Sequence, residues 1–241
     1  MPPDFEELDY QETPLGTLIL RRRRLRSLDD LEVYEIILGT GYLMSSLFTT
    51  VEIALANIAL ALLSSEKREI SVAVGGLGLG YTAQAALKDS RVSELVVVEA
   101  LPAVIGWHQQ EVVPLGQEIH TDPRCRLIEG DFFSLAAGQG FDPKEPGRCF
   151  DAILLDIDHS PRNLIHERHQ GFYSLSGLRR LQSFLHPGGI FAMWSDDPPD
   201  GNFENLLRDV FPFTESRIVT FPNPLQGIES RSTVYLAQCS D

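Results

Sequence analysis

Gly75, Gly76, Gly78 and Gly80 punctuate the stretch SVAVGGLGLGY, Ser71–Tyr81, where a β-branched run gives way to helix-forming residues. A strand, a tight turn and a helix in that order let a ligand approach backbone that carries no Cβ. The next apolar run ends at Glu99, 19 residues after Gly80. A carboxylate at that distance is placed to accept hydrogen bonds from ribose hydroxyls in an α/β nucleotide site. Gly76, Gly78, Gly80 and Glu99 together therefore predict a site for an adenosine-type ligand.

Further acids recur after apolar runs. Asp131 follows Cys125–Ile128 through Gly130, Asp156 and Asp158 follow Ala152–Leu155, and Asp196 and Asp197 follow the run that ends at Trp194. Ligands of parallel sheets bind beyond the carboxyl ends of the strands, so these positions are candidates as a group. Asp131 is suited to accept from an adenine amine with Phe132 bordering the ring, or to cap the turn after Gly130. Asp156 is expected nearest the glycine loop, where it would hold an ammonium or support a sulfonium.

The segment Asp156–Pro161 is expected to face the reaction. An amine nucleophile must lose a proton before it attacks carbon, and Asp158 or His159 could accept it. An imidazole titrates nearer neutrality, which suits His159, although capping the loop is an equal alternative. Trp194 is expected at the pocket edge or in the core. His159, His166 and His169 match no metal-ligand spacing, and Ser195 lacks a G-x-S-x-G elbow, so neither a metal site nor serine hydrolase chemistry is expected.

These residues need a scaffold. Strands are predicted at Ile70–Val74, Leu95–Val98, Cys125–Ile128, Ala152–Leu155, Gly189–Trp194, Glu215–Thr220 and Thr233–Ala237, and helices at Tyr81–Lys88, Pro102–Val113, Leu175–Leu185 and Asn202–Val210. Gln139–Arg148 reads as a surface loop. Continuous apolar runs imply strands covered on both faces, hence an α/β fold with a mostly parallel sheet. Residues 1–49 read as a small β-rich module with strands at Thr17–Ile19, Leu31–Leu38 and Tyr42–Phe48, and 50–241 as the main domain. Arg21–Arg24 with Arg26 are expected on a solvated strand face. Thr49 or Thr50 would cap a buried helix over Val51–Leu63, a run of 13 residues interrupted by Glu52 and Asn57 and too short to span a membrane.

The composition narrows the function classes. The 241 residues carry a formal charge of −14, which argues against nucleic acid as a partner and permits a cationic substrate. The three cysteines, Cys125, Cys149 and Cys239, form no disulfide framework. With no apolar signal core in MPPDFEELDYQE, the expectation is a cytoplasmic protein that does not use a membrane.

The assembled motifs resemble the spermidine synthase-like family. They are GGLGLG at Gly75–Gly80, VVVEA at Val96–Ala100, EGD at Glu129–Asp131, FDAILLDIDHSP at Phe150–Pro161 and HPGGIFAMWSDD at His186–Asp197, together with the N-terminal module and the helix holding Glu52. The resemblance implies a class I S-adenosylmethionine-dependent methyltransferase-like (Rossmann-like) seven-stranded sheet after the β-rich module, and a homodimer. It further implies aminopropyl transfer from decarboxylated S-adenosylmethionine to an amine, leaving 5'-methylthioadenosine, with no metal.

Four positions depart from the family pattern. Leu79 stands where the family has an aspartate near the donor sulfur, and Tyr81 replaces a glycine. His159 stands at the catalytic aspartate, with Asp158 displaced by one residue. Thr50 replaces a tyrosine two residues before Glu52. Glu52, Asp196 and Asp197, with Trp194 beside them, would then supply the acceptor contacts. An S-adenosylmethionine-dependent methyltransferase and a non-catalytic nucleoside-binding homologue remain the alternatives.

Overall fold

The computed structural model describes residues 4–241, so the first three residues of the expected 1–49 module lie outside it. The chain opens with β1 (Phe5–Thr13), β2 (Gly16–Leu25), β3 (Leu31–Leu38) and β4 (Gly41–Ser45), an antiparallel sheet in the order 1-2-3-4. Leu18, Leu20 and Ile36 have no exposed surface and join the sheet to the main core. β1 was not expected, because FEELDYQET holds a single β-branched residue, Thr13, at its very end.

The basic cluster departs from a solvated face. Arg21 to Arg24 lie within β2 and are half-buried, because the neighbouring strands bring acids beside them. Arg21 and Arg23 both reach Glu35 of β3 at 2.6 Å, and Glu35 is only 3% exposed. Arg22 pairs with Glu6 and Glu32.

Helix α1 (Thr50–Leu62) buries Val51, Leu55, Ala56, Ala59 and Leu60, the one-sided spacing of a core helix. Then follow β5 (Ile70–Gly75), α2 (Tyr81–Lys88), β6 (Val92–Glu99), α3 (Pro102–Gln109), α4 (Gly116–Thr121), β7 (Cys125–Glu129), α5 (Phe132–Ala137) and β8 (Phe150–Leu155). The chain ends with α6 (Leu175–Gln182), β9 (Leu185–Ser195), α7 (Gly201–Arg208), β10 (Phe213–Asn223) and β11 (Ile228–Gln238).

The second sheet has seven strands in the order 10-11-9-8-5-6-7. β9, β8, β5, β6 and β7 run parallel, while β11 and β10 form an antiparallel edge hairpin. β8 is buried along its whole length, as its uninterrupted apolar sequence requires. From β5 the order steps to β6 on one side and to β8 on the other. The crevice at this reversal opens above Gly75 and Asp156.

Some boundaries moved. α3 stops at Gln109 rather than Val113, because the chain turns at Glu111 with φ 58°. Leu185 begins β9 rather than ending α6, in register with Phe150 of the adjacent strand β8. Gln139–Arg148 is a loop as expected, yet Phe141 and Asp142 within it have no exposed surface, and Asp142 is held by Arg126 and Arg148. Among the described residues no helix is long and apolar enough to cross a membrane.

Candidate functional site

A cleft of about 900 Å³, including its solvent-open mouth, lies above the carboxyl ends of β5, β6, β7 and β8. Gly76, Gly78, Glu99, Asp131, Phe132 and Asp156 all line it. One wall comes from the N-terminal sheet through Leu15, Leu38, Leu43 and Met44. The small module is thus part of the site.

The glycine loop is fixed from two sides. The Glu99 carboxylate accepts from the backbone N–H of Leu77 at 2.9 Å and of Leu101 at 2.8 Å, tying the loop to the turn after β6. Burial raises the Glu99 pKa, and these backbone donors oppose the rise. On the other side, Nε2 of the fully buried His108 donates to the Gly78 carbonyl at 2.9 Å. Gly76 has φ 91°, and a Cβ there would meet the Asp156 carbonyl oxygen at 2.2 Å, so only glycine lets β5 and β8 end this close.

At the β7 end, Asp131 caps α5 by accepting from Ser134 N–H at 3.0 Å, and its other oxygen pairs with Arg168 at 3.0 Å. Phe132 is 1% exposed and stacks on Phe141, so it forms the floor of the cleft more than its side. Phe133, Ile165, Arg168 and His169 complete this end.

At the opposite end the cleft reaches Asp156 and Glu52. Asp156 Oδ2 accepts from Thr82 Oγ1 at 2.6 Å. Burial raises the Asp156 pKa to about 6, against the Thr82 hydrogen bond. Burial, and after it the charge of Asp156, raises Glu52 to about 8. Two carboxylates that resist joint ionisation mark a place where positive charge is favoured.

Beyond them lies a second, more open cavity of about 1390 Å³, again including open solvent. It shares Leu43, Met44, Glu52 and Trp194 with the first, so these four form the junction. Trp194 Nε1 is buried without a partner among the described residues, leaving an unused donor in this junction residue. His159 and Asp196 line the second cavity, with Tyr42, Phe48 and Phe221 among its apolar walls.

Three expected site residues go elsewhere. Gly80 turns its Cβ direction toward Ile119 and His108 and does not line the cleft, because it starts α2. Asp158 lines neither cavity; its carboxylate has no exposed surface and accepts from Ile165 N–H, His169 Nδ1 and Tyr173 O–H, each at 2.8 Å. Asp197 is also outside both cavities, its carbonyl accepting from Thr233 of β11.

The glycine loop needs a further correction. Leu79 has no exposed surface and packs in the core, whereas Gly78 faces the cleft. A side chain at Gly78 would meet the Met44 sulfur at 2.8 Å, so Met44 fills the space such a group would take. Thr82, His108, Arg168, His169 and Met44 were not among the expected site residues. Thr82 alone had a local signal, being one residue into the helix that follows the glycine loop.

No family model matches the chain. It is 28% identical over 160 residues to the polyamine aminopropyltransferase of Prochlorococcus marinus (strain MIT 9313), covering 64% of this chain and 52% of that protein. The matched part spans about half the length of the curated relatives. The homology to polyamine aminopropyltransferases is thus at low identity. A spermidine synthase in complex with the transition-state analogue AdoDATO superposes with TM-score 0.71 at 17% identity, covering 96% of this chain and 73% of that one. Human methyltransferase-like protein 13 in complex with SAH gives TM-score 0.58 at 20% identity, covering 79% and 82%. The fold is the Rossmann-like methyltransferase fold, preceded by a small β-rich module.

Proposed function

We propose that the chain transfers an aminopropyl group from decarboxylated S-adenosylmethionine to an amine held in the second cavity. The observation that carries this reading is the position of Glu52, shared by both cavities and electrostatically linked to Asp156. Glu52 at the junction and Asp156 beside it favour a donor end and an acceptor that are both cationic, and a donor carboxylate there would oppose their ionisation further. Low-identity homology to aminopropyltransferases supports the same chemistry.

In this reading Glu99 holds the ribose and the β7 end receives the adenine. Asp156 and Glu52 face the sulfonium and the propylamine. The acceptor nitrogen attacks the propyl carbon bonded to sulfur, a C–N bond forms, and the C–S electron pair returns to sulfur to release 5'-methylthioadenosine. The acceptor's proton goes to His159, which lines the second cavity.

One observation favours methyl transfer as a second reading. The glycine loop presents no carboxylate to the cleft, and the Leu79 N–H points to the Met44 sulfur at 3.1 Å, a weak acceptor that a donor carboxylate would replace. Calorimetric titration with S-adenosylmethionine and its decarboxylated form separates the two. Tighter binding of the decarboxylated donor, with aminopropyl product from an amine, supports the first reading. Tighter binding of the carboxylated donor supports the second, and no heat from either removes both.

A further inference from the structure

Asp158 and His169 form a buried pair outside the proposed transfer chemistry. Asp158 lies in the loop after β8, and His169 lies 11 residues later in a short 3₁₀ turn. Their contact is 2.8 Å, from Asp158 Oδ1 to His169 Nδ1. A carboxylate is an acceptor only, so the ring presents Nδ1–H to Asp158, and the lone pair of the neutral imidazole is then on Nε2. Tyr173 O–H and Ile165 N–H hold the carboxylate from other directions. The imidazole is also stacked on Phe133, with centroids 3.8 Å apart and planes 20° apart, so it is clamped by edge and by face.

His169 lines the first cavity at the end occupied by Asp131 and Arg168. With Nδ1 engaged, Nε2 is the ring's remaining polar atom, and it has no hydrogen-bond partner among the described residues. Asp131 is otherwise committed, one oxygen to the cap of α5 and the other to Arg168. The imidazole Nε2 is the side-chain acceptor at this end that makes no hydrogen bond among the described residues.

We infer that His169, fixed by Asp158, reads the base of the nucleoside by accepting a hydrogen bond from an exocyclic amine, selecting a 6-aminopurine over a 6-oxopurine. This rests on the adenosine reading of the first cavity. Asp158 is then a positioning residue, and His169 a specificity residue that takes no part in the transfer. A 6-oxo group would set two lone pairs against each other, a mismatch that polar sites reject strongly.

The test is calorimetric titration with S-adenosylhomocysteine and 5'-methylthioadenosine, each beside its inosine counterpart. The wild-type protein should prefer the amino forms by about tenfold or more. His169→Phe should bind the amino forms about tenfold more weakly and show less than about twofold preference, whereas His169→Gln, which keeps an acceptor, should retain a preference. In the wild-type protein the ¹⁵N resonance of His169 Nε2 should show an unprotonated nitrogen that moves on saturation with the amino ligand, a readout that needs no variant. Full preference in His169→Phe, or an Nε2 resonance that ligand leaves unmoved, overturns the inference alone. A wild-type protein that binds amino and oxo forms equally does the same. Failure to bind any of the four nucleosides overturns the adenosine reading as well.

Discussion

Thr82 Oγ1 donates to Asp156 Oδ2 at 2.6 Å, joining the start of α2 to the loop after β8 beneath the glycine turn. This hydrogen bond favours the ionised carboxylate, opposing the burial that raises its pKa to about 6. Thr82→Val keeps the buried shape and removes the donor. The acid limb of donor binding should move to higher pH, and affinity at neutral pH should fall about tenfold. Calorimetry across pH checks this. An unmoved limb would take Asp156 out of donor recognition.

Glu52 gives the protein an unusual pH dependence. Its folded pKa of about 8 stands above the ordinary value of 4.5, so the folded state holds a proton that the unfolded state releases. Its contribution to stability is therefore present in full below the ordinary value and is lost as pH rises through about 8. Asp156, raised from 3.8 to about 6, acts in the same direction. The ligand-free protein should melt progressively lower as pH rises from about 5 to 8. Glu52→Gln should flatten that slope and raise the melting temperature at pH 8 by about 2–4 °C for each ~1 kcal/mol recovered. Thermal scans of both proteins at several pH values decide it.

The sequence exposed the parts of the site that repeat a backbone grammar. Gly76, Gly78, Glu99, Asp131 and Asp156 stand where strands end, and the parallel sheet brings those ends to one cleft. The misplacements have a common cause. Leu79 and Gly80 share the turn with Gly78, and only the folded geometry of the loop shows that they face the core and the helices. Asp158 carries the chemistry of a proton acceptor, but its partners His169 and Tyr173 sit on an irregular segment whose path no periodicity announces. His108 reaches the glycine loop from 30 residues away, through a packing contact rather than a motif.

His108 should matter for binding although it does not line the cleft. Its Nε2–H holds the Gly78 carbonyl, and its Nδ1 is buried without a partner among the described residues. Because the peptide is trans, holding that carbonyl back turns the Leu79 N–H the other way, toward Met44. His108→Phe should weaken donor binding about tenfold, and His108→Gln, which can still donate, should recover most of it. Burial lowers the His108 pKa below 6.5, so its stability contribution is present above that value and is lost as pH falls through the folded pKa. Acid melting curves of His108→Phe should be flatter than wild type over that range. Equal affinity in His108→Phe would show that the loop holds its shape without the imidazole.

Gly76 and Gly147 provide a matched comparison between a steric requirement and a conformational one. Both have positive φ, 91° and 81°, so alanine at either is strained by the backbone alone, at about 1–3 kcal/mol. At Gly147 a Cβ would meet nothing within 4 Å, and that strain is the whole effect. At Gly76 the Cβ would approach the Asp156 carbonyl oxygen at 2.2 Å and the Ile157 side chain at 3.1 Å. That oxygen belongs to the backbone leaving β8, so relief requires β5 and β8 to part where the cleft begins. Gly147→Ala should lower the melting temperature by about 2–12 °C and leave donor affinity unchanged. Gly76→Ala should lower it further and abolish detectable donor binding. Similar melting and binding in the two variants would mean that the β5 and β8 ends can separate without disturbing the ligand.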